Sequence, residues 1–200
     1  MIDVAGFKRT SILAAAVVLS LAASAASAAS SDPVANNVDW SGCDKSGATL
    51  NSVNLNGADL IGTKLSGASL RGSSLIEANL RDADLSNANL TETTLNNAEL
   101  KRADLTGAKL NGAVLTDAWL RKAKLDGAKL RYADLSGAYL QLADLRGADL
   151  EGADLSEADL EDANLTGADL TGASLRGASL SDATWTDGRT CAEGSVGECK

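Results

Sequence analysis

Leucine stands at every fifth position from Leu50 to Leu180, twenty-seven of them in one phase without an insertion. Two positions before nearly every leucine is an alanine, as in Ala58-Asp59-Leu60 and Ala148-Asp149-Leu150. The exceptions, Val53, Thr63, Ser73 and Thr93, are small or β-branched. The phase continues past the leucines, with Val38 and Trp40 in the two slots at the front and Ala183 and Trp185 at the back. The period thus covers thirty consecutive pentapeptides, residues 36–185. An α-helix cannot bury these leucines together, because five residues advance it by about 500° and rotate successive leucines by about 140°. A flat strand cannot either, since an odd spacing sends alternate leucines to opposite faces. A chain that turns a right angle once per pentapeptide points every leucine at a common axis. The residue two before it points inward too, because i−2 and i share a face of an extended segment. Four pentapeptides then close a square coil, and the whole run makes about 7.5 coils in a rod about 36 Å long. Of the 19 glycines, 15 lie two positions after the central residue, as do Gly57, Gly107 and Gly147. A corner there often needs φ > 0, which glycine supplies without steric cost.

Repeats of the form A-(D/N)-L-x-x are the motif of the pentapeptide-repeat family, which this chain resembles over about three-quarters of its length. The resemblance implies an all-β fold, a right-handed quadrilateral parallel β-helix. The hand comes from the resemblance and not from the spacing.

A solenoid must close its ends or expose its core and its edge backbone groups. Trp40 and Trp185 occupy central slots at the two ends of the run, where a wide ring can cover the last leucines. Lys45 also falls in a central slot, which predicts a distorted first coil. Cys43 lies at the opposite end of the rod from Cys191 and Cys199. A disulfide needs Cα atoms within about 7 Å, so Cys43 is expected to be a buried free thiol. Cys191 and Cys199 bracket a glycine-containing loop and are expected to close residues 186–200 into a cap in an oxidising compartment.

Ahead of the repeats, Lys8 and Arg9 precede an apolar run from Ser11 to Ala23 and then small residues up to Ala29. This is the pattern of a secretory signal peptide over residues 1–28, followed by a linker at 29–35. Cleavage removes two bases and one acid, leaving the mature chain one charge more negative than the −9 of the whole. Nothing downstream is an apolar run long enough to span a bilayer, so a periplasmic or secreted protein without an integral membrane segment is expected.

Composition narrows the chemistry. With no histidine and an aromatic fraction of 3%, the core rests on leucine and alanine, and Ser–His and Cys–His dyads are absent. The acid before leucine recurs along the rod, as at Asp144, Asp149, Asp154 and Asp159, which marks scaffold and not a unique catalytic acid. The motifs of a phosphate loop and of glycine-rich calcium repeats are missing. No enzyme, cofactor or metal site is therefore expected, and the net negative charge opposes nucleic-acid binding.

What varies is the outward decoration. Lys101 to Arg131 holds eight bases and three acids, while Asp134 to Asp169 holds ten acids and one base. A twenty-residue coil puts Lys101 and Arg102 directly below Arg121 and Lys122. It also stacks Trp119 on Tyr139, with Leu142 around the next corner. These seven residues form a candidate interaction face on an exported, non-enzymatic scaffold, with an unknown protein as partner. Two other readings compete. Some members of the resembled family are acidic mimics of duplex DNA that bind a type II topoisomerase; the leader and the basic belt oppose that here. The other is binding of envelope polysaccharide through Trp119 and Tyr139.

Overall fold

The computed structural model describes residues 34–200. The predicted signal peptide and all but two residues of the linker lie outside them. Each pentapeptide forms one side of a square coil, and each outward residue before the central position pairs in parallel with the residue twenty further on. This register runs unbroken from Asp39↔Asp59 to Asn164↔Thr184.

The backbone of one repeat shows how the coil holds. Asp104 donates its N–H down to the carbonyl of Ala83 at 2.9 Å, and Leu105 donates up to Lys124 at 2.7 Å. At the corner, Gly107 donates up to Asp126 at 2.9 Å, and Ala108 closes the turn onto the Leu105 carbonyl at 3.0 Å. Four donors out of five are thus used by the backbone itself. The fifth, on Thr106, is taken by the Asp104 carboxylate at 3.1 Å. The same Asp or Asn cap on the residue two ahead recurs at Asp39, Asn54, Asp84, Asn89, Asp134, Asp154 and Asn164. An acidic or amide side chain before leucine therefore satisfies the one amide that the coil leaves over.

Every corner residue from Asn37 to Asp182 has φ between +54° and +74°. Glycine fills half of these positions and Asn or Asp many others, the residue types that tolerate this region best. Tyr132 and Leu142 are the two corners filled by large, largely apolar side chains.

Inside, the leucines from Leu55 to Leu165 are almost wholly buried, with the alanines beside them. The hydroxyl-bearing exceptions are also satisfied. Thr63, Ser73 and Thr93 donate to the carbonyls of Trp40, Leu50 and Leu70 in the coil below, at 2.8, 2.6 and 2.9 Å. Ser73 also accepts the Val53 N–H at 3.2 Å, filling in at that corner. Among the described residues no buried side-chain nitrogen or oxygen lacks a partner.

The expected distortion at Lys45 does not occur. Its N–H pairs with Lys64 at 2.8 Å and its carbonyl closes the next turn at 3.1 Å, as in any repeat. The long side chain bends back instead, placing its ammonium 4.2 Å from the centre of the Trp40 ring. A flexible stem lets a central-slot lysine cover the end without entering the axis. Trp40 itself is buried, and so is Cys43, which takes no part in the Cys191–Cys199 disulfide.

At the other end the chain reverses. Thr190 pairs antiparallel with Thr184 and Val196 with Ser179, and a Cys191–Cys199 disulfide ties this strip, with Cα atoms 4.9 Å apart. The strip covers two sides of the last square, burying Leu180, while Trp185 is half-buried against the core. On the two sides without a covering strip, Leu170 and Leu175 are half-buried.

Candidate functional site

The capping carboxylates account for most of the perturbed acids. Asp39, Asp44, Asp154 and Asp169 are held below the usual carboxylate range, first by a hydrogen bond from the hydroxyl two residues ahead and then by that residue's N–H. A lowered folded-state pKa contributes stability above the unfolded value of about 3.9, lost as pH falls through the folded value. The thermal midpoint should therefore stay level from neutral pH to about 5 and fall below about 4. Asp154→Asn, which keeps the accepting oxygen, should reduce that fall. Thermal melts across the acid range check both.

One group of carboxylates, Asp149, Glu151 and Asp169, converges within 4.8 Å. Arg131 sits against it, 2.5 Å from Glu151 and 3.7 Å from Asp149, so a cation of the chain already offsets part of the cluster's charge.

The outward aromatics build something different. Trp119 and Tyr139 pair across adjacent coils, their ring centres 5.2 Å apart and their planes tilted by 46°. Both are substantially exposed, at 56% and 42%, as is Leu142 at 40%. They line a groove of about 620 Å³ that follows one corner of the rod. The twenty-residue register stacks Arg81, Lys101, Arg121, Gln141 and Glu161 along its wall on five successive coils. Glu99 and Asp162 complete the lining.

Charge in this groove is unevenly neutralised. Arg81 is held by Glu99 at 3.5 Å. Among the described residues, Lys101 and Arg121 have no carboxylate within ion-pair distance, although most arginines of the rod are paired. Two coils above Arg121, Glu161 and Asp162 likewise have no cation. The groove is therefore basic at one end, aromatic in the middle and acidic at the other.

Of the seven residues singled out from sequence, the structure brings Trp119, Tyr139, Leu142, Lys101 and Arg121 together. Arg102 and Lys122 do not line the groove: Arg102 turns down to make a two-toothed pair with Asp82, and Lys122 faces solvent. The sequence reading missed Arg81, Glu99, Gln141, Glu161 and Asp162. Stepping by twenty from Lys101 and Trp119 would have found all but Asp162, which lies twenty on from Leu142. Trp40 and Trp185 stand at the two ends, away from the groove.

The repeats match the family model for pentapeptide repeats in eight copies spread over residues 35–182. HetL, a pentapeptide-repeat protein involved in heterocyst differentiation regulation from Nostoc sp. strain PCC 7120, is 36% identical, with 78% of this chain and 77% of that one covered and a TM-score of 0.36. Rfr23, from the cyanobacterium Cyanothece 51142, is 29% identical over 68% and 89% of the two chains, with a TM-score of 0.46. QnrB1, a plasmid-mediated fluoroquinolone resistance protein, is 23% identical over 70% and 78%, with a TM-score of 0.47. No curated relative matches the chain by sequence. The unbroken leucine period and the repeat match over residues 35–182 together establish that this chain belongs to the pentapeptide-repeat family and takes its right-handed quadrilateral parallel β-helix.

Proposed function

We propose that the mature chain is a non-enzymatic scaffold, exported to the periplasm or beyond, that binds a protein partner along the corner of Trp119 and Tyr139. The observation that carries the reading is the convergence of two exposed aromatics, an exposed leucine and unpaired charges in one groove. Along most of the rod the same slots hold the corner-capping and turn-forming residues of the repeat. Large aromatics in these slots give up the amide cap that the repeat residues supply, and aromatic and arginine side chains are the usual anchors of protein interfaces. The basic stretch of the wall weighs against mimicry of duplex DNA.

The test is capture from a bacterial envelope fraction with tagged chain. Material recovered there should begin near Ala29. The Trp119→Ser/Tyr139→Ser variant leaves every inward residue in place, so it should fold as the wild type does. Its partner affinity should fall by about 2 kcal/mol or more, some thirtyfold. An intact Met1 would contradict export, and unchanged affinity would contradict the assigned corner.

A further inference from the structure

The groove has a polarity that specifies its occupant more closely. We infer that it takes an extended segment of a partner protein, lying along the rod axis, with an acidic, an aromatic or large apolar, and a basic residue at alternate positions. The inference rests on the proposed function and adds the chemistry of the bound segment.

Coils stack about 4.8 Å apart, so the midpoint of Lys101 and Arg121 lies about 12 Å from Glu161. The aromatic pair stands between them. In an extended chain, side chains at i, i+2 and i+4 share one face and span about 13 Å. An acid at i therefore reaches Lys101 and Arg121, an aromatic at i+2 reaches the Trp119–Tyr139 notch, and a base at i+4 reaches Glu161 and Asp162. No closer spacing on one face fits, since i to i+2 covers only about 7 Å.

Two other occupants fit less well. A pyranose ring stacks on a flat platform, whereas rings tilted by 46° form a notch into which a side chain inserts. An acidic polysaccharide would be repelled by Glu161 and Asp162. A second copy of the chain would set one concave groove against another and leave the notch unfilled.

Fluorescence anisotropy with labelled nine-residue peptides tests this directly. A peptide centred on Glu-Gly-Phe-Gly-Arg should bind the folded mature protein saturably. The Glu-Phe-Arg spacing, Ala in place of Phe, and the diacidic and dibasic versions should each bind at least tenfold more weakly. The Arg121→Glu protein should prefer the dibasic peptide, and the Glu161→Arg protein the diacidic one. A merely structural role for either residue would not exchange these preferences. Binding indifferent to spacing and charge order would overturn the inference. So would saturable binding of a neutral tetrasaccharide in place of the peptide, or self-association abolished by Trp119→Ser. Should the peptides fail while the double aromatic variant still loses the captured partner, the segment chemistry is wrong and the docking corner stands.

Discussion

Leu105→Asp is expected to lower stability by on the order of 5 kcal/mol and to unfold much of the protein at ordinary temperature. Leu105 is fully buried, on the axis of a solenoid lined by leucine and alanine. A carboxylate there finds no donor, because the backbone amides around it are already used by neighbouring coils. It must remain neutral or unpaired, and either state carries a large desolvation cost. Lys109→Asp, only four residues on, should do the opposite. It places an acid in the outward slot, where it can cap the Asn111 N–H as Asp104 caps Thr106, and sets it beneath Lys129. Its stability should match or exceed the wild type by up to about 0.5 kcal/mol. Chemical denaturation of the two variants separates the inward and outward assignments. Similar midpoints would refute them.

Ending the chain at Asp187 is expected to have the second largest effect. The truncation removes the antiparallel strip that pairs with Ser179 and Thr184, along with the disulfide and the buried Cys191 and Ser195. The last square would then present four open sides of backbone donors and acceptors and uncover Leu180 beside the half-buried Leu170 and Leu175. Exposed edges of this kind template pairing with further chains. The truncated protein should lose several kcal/mol from its last coils and self-associate as its concentration rises. Reducing the disulfide in the intact chain should act in the same direction but less, by about 2–3 kcal/mol. Sedimentation and hydrogen exchange at Leu180 check both. A truncated protein that stays monomeric with Leu180 still protected would show that the strip is not a cap.

Much of this structure is legible in the sequence because an unslipped period turns register into arithmetic. Leu105 belongs inside by its slot alone, and Trp119 meets Tyr139 because twenty residues separate them. Lys45 shows where slot logic stops. The slot predicts an intruding charge, but four methylenes allow the ammonium to leave the axis and sit over Trp40. The acid before leucine was visible as scaffold, yet its role depends on which amide the coil leaves unpaired, and periodicity does not reveal that. The groove was half visible. Read linearly, Lys101 and Arg121 fall in a basic belt and Glu161 and Asp162 in a separate acidic band. Only the square cross-section brings them to one corner.

The scaffold is written in repeat residues and the proposed binding corner in departures from them. Restoring that corner to repeat residues tests the separation most directly, through Trp119→Asp, Arg121→Ser, Tyr139→Asn and Leu142→Gly in one chain. The new Asp and Asn gain corner amides to cap, and the glycine relieves a leucine held at φ +61°. These gains offset the lost aromatic contact. The measurement is the affinity for the envelope partner set beside the unfolding free energy of the same variant. The account predicts stability within about 1 kcal/mol of the wild type and no detectable binding. Retained binding by this equally stable rod would contradict it.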